Sequence, residues 1–225
     1  GSGREVSMTF VGASKHVPEC RDFFASPPRF EPAGLAHPDV MLIAEPLPVA
    51  HADALRYHPF FDAHLDVRET VEAQIQAVRS KAHRRRLRSV FRSKDWKWSV
   101  GERLEDLEDF YSSLHRPYVE ARFGDRARID PLEPLRKRFE KGGRVLTVRE
   151  GGERVCGAVL FDRDGGLDYD RNGFRLDALK APLVLAQRTA ALELAVFQLA
   201  QELKATTIDL GFCRALLNDG LFTHK

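Results

Sequence analysis

Residues 144–171 read RVLTVREGGERVCGAVLFDRDGGLDYDR, and two glycine turns divide them into three strand-like runs. Arg144–Arg149 turns through Glu150–Glu153 into Val155–Phe161, which turns through Asp162–Gly166 into Leu167–Arg171. Both turns carry the glycines that hairpins require, so three antiparallel strands are expected. On the C-terminal side, Pro182 to about Leu203 reads as a long helix with Leu192, Val196, Leu199 and Leu203 as its buried stripe. A short apolar strand, Thr206–Leu210, then ends in Gly211. A helix between Leu167–Arg171 and Thr206–Leu210 acts as a crossover and favours parallel pairing of those two strands. Parallel neighbours at the end of an otherwise antiparallel sheet can splay, which opens a cleft.

On the N-terminal side, Trp96–Val100 (WKWSV) alternates as a half-buried strand. Leu104 to Phe123 is an amphipathic helix carrying Leu107, Phe110, Tyr111, Leu114 and Tyr118, and Pro131–Lys141 is a second, with Pro131 suited to a first turn. Val71, Ile75, Val78 and Ala82, continued by Leu87, Val90 and Phe91 with a slipped stripe, predict one helix from about Glu69 into the low nineties. Residues 1–68 hold eight of the twelve prolines and add little beyond a short strand at Val40–Ala44. Gly1–Gly3 read as an expression scar ahead of Met8.

With 225 residues, 43% of them hydrophobic and 30% charged, the chain buries a real core and is neither disordered nor membrane-embedded by composition. Its longest apolar stretches, near Met41 and Leu183, are interrupted short of a bilayer span. Cys20, Cys156 and Cys213 form no CxxC pair, so a reducing, cytoplasmic setting is expected. His51, His58 and His64 match no ligand spacing, and no metal is expected. The net charge of +2 hides an asymmetry: Arg79–Lys97 holds nine Lys and Arg against Asp95, a local +8 that leaves −6 elsewhere. That run is either a solvated helix face in an arginine-rich chain or an anion site for phosphates, to which guanidinium groups are suited.

Four stretches in this order resemble the GNAT acyltransferase fold, and within it the Fem-type, peptidoglycan-bridge branch. They are Ser80-Lys81-x-x-Arg84-Arg85; Phe110-Tyr111 with Arg122-Phe123-Gly124; Gly157-Ala158; and Asp209-Leu210-Gly211 followed by Leu217-Asn218-Asp219-Gly220 and Lys225. The resemblance spans residues 66–225 and leaves 1–65 as an N-terminal extension or partial lobe. It implies an α+β fold, a mixed and mostly antiparallel sheet flanked by helices, and transfer of an acyl or aminoacyl group to an amine. Acyl-CoA-dependent relatives carry a Gln/Arg-x-x-Gly-x-Gly/Ala loop before the long helix, whereas Phe174–Pro182 here has no glycine. The resemblance therefore implies as donor an aminoacyl-tRNA or some other activated acyl group. Acyl-CoA with a degenerate loop, or a non-catalytic nucleic-acid-binding module built on the basic helix, are the alternatives. No tightly bound cofactor is implied, and the partners are an amine acceptor and tRNA. The chain stops at Lys225, with His224 where Fem-type proteins place an aromatic residue, and the closing strands of that family do not follow. The resemblance then implies either a trimmed end, which leaves a sheet edge uncovered, or a fold closed differently.

Direct attack needs a neutral amine, so a carboxylate near the cleft is wanted as proton acceptor. Strand alternation puts Asp168 and Asp170 on one face as candidate bases, or as surface acids answering Arg163 or Arg171, with Tyr169 and Arg171 on the other. The resemblance associates Lys225 with the reacting ester. The remaining candidates for donor and substrate binding are Lys81, Arg84, Arg85, Arg88, Arg122, Tyr169, Arg171 and Asn218. Cys213, Ser112, Ser113 and His115 fit no nucleophile pattern.

Overall fold

Two hydroxyls cut the helix expected at 69–92 into two. Thr70 accepts the Ala73 N–H at 3.1 Å and Ser80 accepts the His83 N–H at 3.3 Å, so each heads its own helix. The slipped stripe was the mark of this break. Arg84 secures it by donating to the Val78 carbonyl and, at 3.0 Å, to that of Arg79.

The computed structural model describes residues 8–11, 40–43, 60–127 and 129–214. The chain divides into two compact units, residues 1–57 and 58–225. In the first, β1 (Met8–Val11) and β2 (Val40–Ile43) pair in parallel, β2 being the short strand expected there. The second begins with β3 (Phe60–Asp66), α1 (Val71–Ala77), α2 (Lys81–Arg92) and β4 (Trp96–Gly101). Next come α3 (Leu104–Phe110), a π-turn (Tyr111–His115), α4 (Arg116–Phe123) and α5 (Leu132–Phe139). It ends with β5 (Gly143–Glu150), β6 (Glu153–Arg163), β7 (Gly166–Phe174), a 3-10 turn (Leu176–Lys180), α6 (Pro182–Glu202) and β8 (Thr207–Arg214).

Six strands form one sheet in the order β3-β8-β7-β6-β5-β4. β7 and β8 are parallel and every other pair is antiparallel. The expected mixed sheet is therefore present, and β3, which the sequence reading passed over, covers the edge of β8, with Leu65 opposite Ile208. One face packs against α1, α2 and α6 through a cluster that includes Leu87, Leu146, Leu160, Leu192, Val196 and Ile208. The other packs against α3, the π-turn and α5 through Leu107, Phe110, Leu135, Phe139, Val145 and Val159.

Three expectations are corrected in detail. Leu203 is 40% exposed, because α6 ends at Glu202 and Lys204 turns left-handed at φ 56°. Pro131 sits one position outside α5, in extended geometry. The apolar stretch at Leu183 belongs to a helix of 21 residues, long and apolar enough by length and composition to cross a bilayer. More than half of it is buried, and Ala190, Leu192, Val196 and Leu199 lie in the core, so it is accounted for as a core helix.

Candidate functional site

β7 and β8 pair at three positions only: Gly166 with Thr207, Leu167 with Ile208, and Asp168 with Asp209. Beyond these the strands part, although β7 runs on to Phe174 and β8 to Arg214. Both strands contribute to the parting. In β7, Tyr169 lies opposite Leu160 and Arg171 opposite Val159, so Asp170 is the extra residue of a bulge, a feature that bends and twists a strand locally. In β8, Gly211 has φ 69° and its N–H donates to Asp209 Oδ1 at 2.7 Å, a local turn that draws β8 away.

The bulge also overturns the expected alternation. Arg171 comes to the same side as the two acids, where its Nε donates to Asp170 Oδ2 at 2.5 Å and its guanidinium lies 3.6 Å from Asp130. Arg138, from the end of α5, bridges the pair: it donates to Asp170 Oδ1 at 2.6 Å and to Asp168, while lying 3.8 Å from the centroid of the Phe161 ring. Tyr169 instead packs on the α6 side, hydrogen-bonded to the Asn172 side chain, and burial pushes its phenol well above the ordinary range. The acids thus answer Arg138 and Arg171, whereas Arg163 pairs with Asp209 across the strand ends.

A further group stands beside this cluster. His115 closes the π-turn and is 8% exposed, between the rings of Phe110 and Tyr111 at 6.0 and 5.7 Å. Its Nδ1 lies 2.7 Å from the Asn172 carbonyl oxygen. A carbonyl only accepts, so Nδ1 carries the proton and Nε2 holds the lone pair. Nε2 has no hydrogen-bond partner among the described residues and is not among their buried, unpaired polar atoms, so it reaches solvent. Burial lowers the imidazole pKa; the Asn172 bond, Asp170 and Asp130 oppose this, and Arg171 adds to it. The lowering favours the neutral ring, with its lone pair on Nε2. Gly173 makes the approach of this turn to β7 close: a Cβ there would stand 2.6 Å from the backbone nitrogen of His115. Gly173→Ala is accordingly expected to cost about 1–3 kcal/mol by overpacking, read as a lower midpoint in urea.

The remaining candidates fall elsewhere. Arg122, on α4, donates to the Tyr118 hydroxyl and lies over the Phe123 ring at 5.4 Å; Tyr118 in turn meets Phe174 of β7 at 5.0 Å. Arg84 is spent on the α1–α2 break. Lys81, Arg85 and Arg88 lie on α2 with no anionic partner among the described residues, while His83 reaches Glu193 of α6 at 2.5 Å. Asn218 and Lys225 lie outside the described residues. Sequence reasoning missed Arg138, which looked like one more charge on an amphipathic helix. It also missed His115, whose position depends on a π-turn that no spacing rule reveals.

Before α6, where acyl-CoA enzymes hold pyrophosphate, the backbone is turned on itself. The Ala178 N–H donates to the Arg175 carbonyl at 3.0 Å and the Ala181 N–H to that of Ala178 at 3.3 Å. Asp177 places a carboxylate at this spot, gripped by Arg188 at 2.5 and 3.1 Å and by Arg175 at 2.7 Å. The Asp177 carboxylate is thus spent on two guanidinium groups, and the Ala178 and Ala181 N–H groups on backbone carbonyls. A concavity of about 370 Å³ lies by β4, β5 and α3, and its charges pair among themselves, as Arg103 with Asp106 and Arg154 with Asp109.

No known family pattern and no curated protein matches the sequence. Among solved structures, FemX is 9% identical with a TM-score of 0.56, over 74% of this chain and 57% of that one. L-PGS from Bacillus licheniformis is 19% identical with a TM-score of 0.44, over 72% and 48%. A GCN5-related N-acetyltransferase from Kribbella flavida is 18% identical with a TM-score of 0.32, over 54% and 48%. The chain spans about half the length of the solved structures it matches. The likeness to FemX, together with the strand order and the parted pair, shows that the described part of the second unit has a GNAT-like, mixed α+β fold shared with that structure.

Proposed function

We propose that this unit is an N-acyltransferase that joins an aminoacyl group, carried as an ester on tRNA, to an amine by direct attack. The observation that carries the reading is the parting of β7 from β8 directly after Asp168 and Asp209, with a bulge at Asp170. Beyond that point β7 backbone N–H groups have no β8 partner and are available to a tetrahedral oxyanion, a donor worth about 3 kcal/mol in other enzymes. The amine nitrogen forms the new C–N bond as the C–O bond to the ribose breaks. The amine's proton passes to His115 Nε2 and then to the departing oxygen. Asp168 and Asp170, held by Arg138 and Arg171, form a fixed charged rim that orients the acceptor.

The donor follows from two features: the glycine-free turn before α6, whose Ala178 and Ala181 N–H groups already bond to backbone carbonyls, and the unanswered cations of α2, suited to phosphates. Arg85→Ala with Arg88→Ala is expected to raise KM for the tRNA donor at least about tenfold with kcat unchanged, since these contacts are made equally in ground and transition states. Arg84→Ala, by contrast, should act on stability. The reading itself is tested by supplying mixed aminoacyl-tRNAs or acetyl-CoA with a panel of amines and weighing the products. Transfer from the tRNA pool supports it; transfer from acetyl-CoA, or a rise in melting temperature with acetyl-CoA, overturns the choice of donor. The same free cations favour a second reading, a binding module without catalysis, which predicts tRNA binding and no product from either donor.

A further inference from the structure

Most other arginines among the described residues of this unit are answered by acids, as Arg116 by Glu120, Arg144 by Glu102, Arg154 by Asp109 and Arg175 by Asp177. On α2 and the start of β4 they are not. Arg85, Arg88, Arg92, Lys94 and Lys97 have no anionic partner among the described residues. Arg-rich composition alone does not produce so local a deficit. Arg85, Arg88 and Arg92 follow one another at i, i+3 and i+7, which lines them along one side of the helix, and Phe91 stands three residues after Arg88.

Beside them lies a crevice of about 110 Å³ between α2, α6 and β4, lined by Phe91, Trp96, Trp98, Leu194 and Gln198 among others. Phe91 is 39% exposed, and both indoles are half-buried. Trp98 is fixed by donating its Nε1–H to Gln198 Oε1 at 2.8 Å, while Trp96 Nε1 has no partner among the described residues. Cations in a row beside recessed aromatic rings match a chain that alternates phosphates with flat bases. A lipid surface fits less well, because seating in a bilayer calls for protruding apolar side chains, and here the indoles are sunk in a crevice.

We infer that this ledge binds unpaired nucleotides of an RNA strand, the phosphates on Arg85, Arg88 and Arg92 and a base against Phe91 and Trp96. The choice of RNA rests on the tRNA donor proposed above; the ledge itself needs no transfer chemistry. Trp96 and Trp98 are the only two tryptophans in the chain, so intrinsic emission reports on this place alone. Titrating the full chain with a short single-stranded oligoribonucleotide should quench that emission, with binding that weakens with salt at a slope of about −0.7 per phosphate held. Phe91→Ala and Trp96→Leu should each weaken binding at least about fivefold, and heparin should bind without quenching. Absence of binding, equal binding of a duplex with no quenching, a preference for the DNA strand of the same sequence, or a blue shift with phosphatidylglycerol vesicles in place of quenching by RNA would each overturn the assignment. Because none of these readouts involves product formation, failure of the transferase reading leaves this result separately legible.

Discussion

Asp177→Ala is expected to destabilise the second unit by about 3 kcal/mol. The cause is what the substitution strands. Arg188 is 4% exposed, its two terminal nitrogens donate to Asp177 at 2.5 and 3.1 Å, and its Nε has no partner, with Glu150 no nearer than 3.7 Å. Removing the carboxylate leaves a buried guanidinium almost unanswered. Asp177 itself is 45% exposed, and water screens the pair from that side, which places the cost at the lower end of the range for broken buried pairs. For a unit of this size the melting temperature should drop by about 10 °C. Hydrogen bonds from Arg188 and then Arg175 hold the Asp177 carboxyl far below the ordinary carboxylate range. Its folded-state pKa is depressed, so its stabilisation is complete above the unfolded value of about 3.9 and is lost as pH falls further. Calorimetry of both proteins at pH 7 and pH 3 checks this: the gap between them should narrow in acid, and a constant gap would contradict it.

His115→Asn should lower kcat about 100-fold, the smaller end of what proton transfer contributes, with little change in melting temperature. The amide nitrogen of asparagine takes the place of Nδ1 and keeps the bond to the Asn172 carbonyl, while Nε2 is lost. In the unaltered protein the neutral ring is the active form, so the rate should fall on the acid side, below the ordinary imidazole value of about 6.5. The variant should lack that limb. A second readout does not depend on catalysis. The unfolded chain binds a proton at His115 near pH 6.5 and the folded one only lower down, so stability declines with acidification through that window. The variant should decline less there. Unchanged activity and an unchanged acid limb would remove His115 from the reaction.

The hairpins and the crossover were legible because glycine turns and a long apolar helix leave few other solutions; Gly151, Gly152 and Gly165 do adopt positive φ in the turns. Topology then required β7 and β8 to run parallel. The sequence does not show where one residue is added to a regular pattern. The bulge at Asp170 moves Arg171 across the sheet, and the π-turn carries His115 inward; each is set by tertiary packing, with Gly173 making room for the turn. β3 escaped notice for a related reason. An edge strand beside prolines has weak local signals, and its pairing with β8 joins segments at opposite ends of the unit. Arg138 required knowing which end of α5 meets β7.

Strand β8 is held unequally by its two neighbours. It meets β7 over three residue pairs but β3 over six, along Phe60–Asp66. Where the unequal grips begin, Thr206 donates both its N–H and its hydroxyl to the Gly165 carbonyl, at 2.8 and 2.7 Å, and accepts from the Val67 N–H at 2.8 Å. The Gly165–Thr206–Val67 knot thus ties three chain segments together beside the first rung between β7 and β8, and a group entering between the two strands beyond the last rung would break no pairing of the sheet.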